Sequence, residues 1–146
     1  MSVIVTGLAD IERALSSFLI DTEKAVDDAV RLTAIKVNNS AIKSIREPSI
    51  GELVTRYRSG GKPYSHIASS EGNTPNTDTG RLINSIGINH NKGSRVAYVG
   101  TNVDYGFFLE TVMNRPWLNP ALAKNIAGFK ENMTAAIQMQ IKKAKK

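Results

Sequence analysis

Asp78-Thr79-Gly80-Arg81-Leu82-Ile83-Asn84-Ser85-Ile86 opens the stretch, ending at Ala121, whose reading decides the fold. Asp78 and Thr79 carry side-chain oxygens able to cap free amides, and Leu82, Ile83 and Ile86 recur at helical spacing, which predicts one short helix. Ile86 and Ile88 lead into Asn91-Lys92-Gly93-Ser94, and Val96, Tyr98 and Val99 follow before Gly100. Two strands joined by a glycine-containing turn are expected there, a hairpin. Asp104 is placed to cap Tyr105-Gly106-Phe107-Phe108-Leu109-Glu110, a segment too short and too aromatic to be helical without a core beneath it. At Arg115-Pro116-Trp117-Leu118-Asn119-Pro120-Ala121 the first proline holds the chain extended, and Asn119 before Pro120 matches an N-cap with proline at the first helical position.

Working outward, the last helix carries Leu122, Ile126, Phe129, Met133, Ala136, Ile137 and Ile141 on one stripe. Lys142, Lys143, Lys145 and Lys146 fall where a helix C-terminus favours positive charge. Upstream, Ile11, Ala14, Leu15, Phe18, Leu19, Val26, Ala29, Val30, Val37, Ala41 and Ile45 trace another stripe from Asp10 to Glu47, which Pro48 stops. Continuous, that helix is about 57 Å long, enough to overhang the core of so small a protein; a break is allowed at Asn38-Asn39. Ser2 to Thr6 alternates around Val3 and Val5 as a first or edge strand. Pro48 to Thr77 is rich in Ser, Gly, Pro, Asn and Thr and reads as a projecting loop, with Leu53 to Arg58 as one strand of a hairpin in the second reading. As a loop this long it is expected to be mobile in the free subunit and to order on assembly.

A chain of 146 residues fits one domain, 1–146, with one core. Hydrophobic content of 41% and charge of 22% are ordinary for a globular protein. No apolar run approaches the roughly 20 residues that cross a bilayer, and the N-terminus lacks a secretory pattern, so no membrane association and a cytosolic setting are expected. The absence of cysteine excludes disulfides and thiolate metal sites. The net charge of +6 is unevenly spread: Asp10 to Asp28 holds six acidic residues against two basic, and Lys130 to Lys146 five lysines against one Glu131. Opposite charge at two ends of one molecule suits head-to-tail association.

No constellation for chemistry is present. His66 and His90 stand in polar, loop-like context without a second ligand nearby and read as solvated residues. Ser65-His66 lacks a nucleophile elbow, and Gly60-Gly61-Lys62 lacks the spacing of a phosphate loop. Neither an enzyme nor any catalytic, cofactor or metal site is expected. Arg56, Arg58 and Lys62 flank Tyr57 and Tyr64, the basic and aromatic interleaving of single-strand binders, which makes a small non-specific DNA-binding protein the alternative function.

The succession resembles the tail-component or neck proteins of long-tailed bacteriophages. Asp-Thr-Gly-Arg-Leu with Asn84-Ser85-Ile86, Val99-Gly100-Thr101 with Asp104-Tyr105 and Glu110, and Arg115-Pro116-Trp117-Leu118 with Pro120-Ala121-Leu122 carry the resemblance, and Val5 to Ile11 looks like the family's opening. Two features depart from it: Thr111-Val112-Met113-Asn114 follows Glu110 where a glycine is usual, and about thirty residues, Pro48 to Thr77, replace a short linker. The resemblance implies a structural virion protein that forms a homo-oligomeric ring, a hexamer or a multiple of one, joining tail to head. It implies neighbouring head-closure and tail proteins as partners, weak contact with DNA in the lumen, and residence in the virion after assembly in the host cytoplasm. Tyr105, Phe107, Phe108, Arg115 and Trp117 are expected at the assembly interface, although a tryptophan between two prolines also reads as a core anchor. Arg56, Arg58 and Lys62 are the expected contacts of the insert. The fold expected is α+β: a long N-terminal and a C-terminal helix on one small antiparallel sheet built from the Gly93 hairpin, the N-terminal strand and Leu53 to Arg58.

Overall fold

The computed structural model describes residues 8–144 and is α+β, so the strand expected at Ser2 to Thr6 lies outside the described residues. Helix α1 (Leu8–Arg46) is followed by strands β1 (Gly51–Tyr57) and β2 (Pro63–Ser69), helix α2 (Arg81–Ser85), strands β3 (Ile86–Asn91) and β4 (Val96–Thr101), and helices α3 (Asp104–Thr111) and α4 (Asn119–Ala144).

Helix α1 runs unbroken through Asn38-Asn39 for 39 residues, about 58 Å. Only its C-terminal half is well covered. Val37, Ala41 and Ile45 form the core with Leu82 and Ile83 of α2, Ile86, Val103, Trp117 and Ala121. The helix ends before Pro48, which cannot continue the pattern. Thr77 Oγ1 donates to the Ile45 carbonyl, a helix-end acceptor that would otherwise lack a partner (3.0 Å).

The expected single sheet is instead two separate antiparallel pairs, β1 with β2 and β3 with β4. Strand β1 finds its partner in Pro63–Ser69, with Leu53 opposite Ile67 and Arg56 opposite Tyr64. The turn between them closes through Gly60 and Gly61, whose φ values of 100° and 77° suit residues without a Cβ. Gly51 is fixed for a different reason: a Cβ there would lie 1.9 Å from the Ala68 carbonyl oxygen. The segment Pro48 to Thr77 is therefore the hairpin of the second reading, followed by a return strap. Asn76 pins that strap: its side chain accepts from Ser49 N (2.7 Å) and donates to the carbonyls of Ser49 (2.9 Å) and Ile67 (3.0 Å).

The second pair, β3–β4, lies along α1. His90 Nε2 is 2.9 Å from Asp27 Oδ1, and Arg95 reaches Glu23 at 2.8 Å. This corrects the reading of His90 as a solvated loop residue: it is a half-buried strand residue paired with a buried carboxylate.

Three expected caps are also replaced. Gly80, in the left-handed region, is the N-cap of α2; Asp78 accepts from the Tyr64 hydroxyl instead of capping it, while Thr79 Oγ1 accepts from the Arg81 amide at 3.4 Å as expected. Val103 precedes α3, and Asp104 is its first helical residue rather than its cap. At α4 the helix begins at Asn119, and the carboxylate that meets its entry belongs to Glu110: it accepts from the backbone amides of Trp117 (2.7 Å), Leu118 (3.0 Å) and Asn119 (2.9 Å). One side chain thus locks α3 to α4 through three charge-assisted bonds. Glu110→Ala leaves those amides without acceptors, and a loss of about 2–3 kcal/mol in chemical denaturation is expected.

Candidate assembly surface and basic cleft

Helices α1 and α4 are antiparallel neighbours. Ala121 packs in the core with Val37 and Ala41, and Asn125 Nδ2 donates to Ser40 Oγ at 3.0 Å. Helix α4 has 26 residues against the 39 of α1, so the first turns of α1 extend beyond it. On that overhang Leu8, Ile11, Leu15 and Leu19 recur every three or four residues, and all are more than half exposed. The stripe has no cover among the described residues.

Antiparallel packing also relocates the charge. About 25 Å of helix separates Asn125 from Lys142, and the same rise along α1 leads from Ser40 back to Glu23. The acidic stretch of α1 and the basic end of α4 therefore share one end of the molecule rather than opposite ends. Lys145 and Lys146 lie outside the described residues.

The β1–β2 hairpin presents two unlike faces. Residues opposite one another in an antiparallel ladder lie on the same side. Leu53 with Ile67, Thr55 with Ser65, and Tyr57 with Pro63 make an uncharged outer face, on which Leu53 and Tyr57 are 73% and 71% exposed. Arg58 and Lys62 flank the turn, and the Arg58 guanidinium lies 5.3 Å from the ring centroid of Tyr64, the inner-face partner of Arg56.

The inner face, with Arg56 and His66, lines a cleft of about 340 Å³ closed by Asn76 to Ile83, Tyr105, Leu109 and Arg115. Three expected contact residues, Arg56, Tyr105 and Arg115, thus come together from the hairpin, α3 and the segment after it. In the same region the hydrogen bond to Asp78 raises the Tyr64 pKa, with burial adding to it, while Arg56 and Arg58 oppose. Because the neutral phenol is the favoured form, this contribution is present below the usual tyrosine pKa and is lost as pH rises through the raised value. In Asp78→Ala an ultraviolet titration is expected to show Tyr64 ionising at lower pH than in the parent chain.

Phe107 and Phe108 are exposed on α3, with Phe107 at 71%. Trp117 is not on the surface. It is 2% exposed and its indole N–H donates to the Gly106 carbonyl at 3.0 Å, so of its two readings the structure takes the core anchor. Gly106 is needed for the packing of Thr101 and Leu82 against it: a Cβ there would stand 2.6 Å from Thr101 Cγ2 and 3.0 Å from Leu82 Cδ1. A second cleft, about 390 Å³, lies between α1, β4 and α4 and is lined by Val30, Val37, Tyr98, Leu122, Ile126 and Phe129 among others. The α4 stripe is therefore only partly covered.

The class these features define is an α+β fold with a long amphipathic helix, a projecting two-faced hairpin and more apolar surface than its own core covers. Compared with protein-family models, curated proteins and solved structures, the chain has no match. Among the described residues no helix is long and apolar enough to cross a membrane, and no three acidic or histidine side chains are grouped to hold a metal ion.

Proposed function

We propose that this protein is a structural subunit that assembles with copies of itself, and that it serves in the neck or tail-completion region of a bacteriophage virion as a ring joining tail to head. One observation carries the self-association: two apolar surfaces of the same chain, the α1 overhang and the outer face of the β1–β2 hairpin, are both uncovered. Contiguous exposed apolar patches mark association sites. The charges beside them are complementary. Asp10, Glu12 and Asp21 outnumber Arg13 on the overhang, whereas Arg58 and Lys62 stand at the tip of the hairpin.

A contact between two different surfaces is heterologous and closes into a ring when the rotation between copies allows. Seating the α1 overhang of one subunit on the hairpin of the next satisfies both surfaces. The virion role rests on the resemblance of the motifs from Asp78 to Leu122. Mass measurement over a range of concentrations tests the reading. A discrete oligomer without DNA is expected. A strict monomer at millimolar concentration overturns it, and a mass that rises only when DNA is added favours the DNA-binding alternative, for which the basic hairpin tip speaks.

A further inference from the structure

The cleft beneath the hairpin has a composition that self-association does not use. Arg56, Arg81 and Arg115 line it together with His66. Among the described residues none of these guanidinium groups forms an ion pair. The carboxylate in the lining, Asp78, already accepts the Tyr64 hydroxyl. Two polar atoms of the lining are buried without a hydrogen-bond partner among the described residues: Oγ of Ser69, a residue 2% exposed, and Nε of Arg115 itself. Both are donors. Buried donors without acceptors are destabilising, so a group rich in acceptors satisfies this cleft.

We propose that the cleft binds a phosphate group. Three guanidiniums against one carboxylate leave a surplus of two positive charges, which matches a phosphomonoester near neutral pH better than a single carboxylate. Arginine forks suit the tetrahedral oxyanion geometrically as well as electrostatically. A volume of about 340 Å³ accommodates the phosphate and a small part of whatever bears it. The site stands on the arginines and the buried donors alone, and it holds whether or not the protein forms a ring.

Calorimetric titration of the full chain with inorganic phosphate tests it, with acetate as the control. Saturable binding of phosphate, absent for acetate, is expected. Arg81→Gln and Arg56→Gln change exposed side chains, so the fold is retained, and each is expected to weaken phosphate binding by about tenfold, the loss of one charge-assisted hydrogen bond. A short single-stranded DNA with and without a terminal phosphate separates the sources. Tighter binding of the phosphorylated strand assigns the cleft to a phosphomonoester, and equal, arginine-dependent binding of both assigns it to backbone phosphate. No phosphate binding, equal binding of acetate, or binding indifferent to both substitutions overturns the proposal.

Discussion

Trp117→Ala is expected to lower the stability of the isolated subunit by about 3–5 kcal/mol, the range for truncating a buried large aromatic side chain. The ring is 2% exposed and packs within the cluster of Val37, Ala41, Ile45, Leu82 and Ala121. Removing it opens a cavity at the junction of α1, α2 and α4. It also leaves the Gly106 carbonyl without its indole donor. The total stability of a domain this size is of order 5–15 kcal/mol, so the variant retains a folded state only narrowly. Thermal and urea denaturation at concentrations below assembly measure this directly. If Trp117 acted instead as an interface hot spot, the isolated subunit would keep its melting temperature and lose only its association. That outcome would place the ring on the surface and contradict the core described above.

The position of Trp117 shows what the sequence could and could not disclose. Local periodicity marked out α1 to within two residues at its start and one at its end, and it located the Gly93 hairpin and the start of α4 at Asn119. These elements are legible because alternation, helical spacing and proline placement act within a few residues. The partner of β1 was missed because Pro63-Tyr64-Ser65-His66-Ile67-Ala68-Ser69 has little apolar content, and its pairing depends on the turn at Gly60-Gly61 and on the return strap anchored by Asn76. Caps misled for a related reason. Asp78, Asp104 and Asn119 each had the right chemistry at the right offset, but Asp78 took Tyr64, Asp104 entered its own helix, and Glu110 reached the amides ahead of α4 from another helix. The cleft was invisible as a unit. Arg56, Arg81 and Arg115 come from three separated segments, and no spacing rule links them.

The second large effect concerns the overhang of α1. In Leu15→Asp the subunit is expected to keep its melting temperature within a few degrees, because the residue is 57% exposed and touches no core cluster. Association is expected to fail. Seating Leu8, Ile11, Leu15 and Leu19 against the hairpin would bury a carboxylate in an apolar contact, and a central hot-spot loss of about 2–4 kcal/mol weakens each contact by roughly 30- to 1000-fold. In the proposed ring that loss would be multiplied, since every copy would contribute one overhang and receive another. Sedimentation should then show a monomer where a discrete oligomer is expected of the parent chain. Leu53→Asp on the outer face of the hairpin should give the same result from the other side of the contact, again without loss of fold. The chain contains no cysteine, so a Leu15→Cys and Leu53→Cys double variant can form disulfides only between the introduced thiols. Cross-linked ladders place the two surfaces in contact between subunits. An intact oligomer in both aspartate variants, with no cross-link in the cysteine pair, would leave self-association standing and remove this contact from it. Raised salt separates the two contributions: the charge pairing of Arg58 and Lys62 with the acidic flank is screened, whereas apolar burial is not. Loss of assembly at high salt therefore assigns the affinity to charge, and persistence assigns it to the leucine stripe.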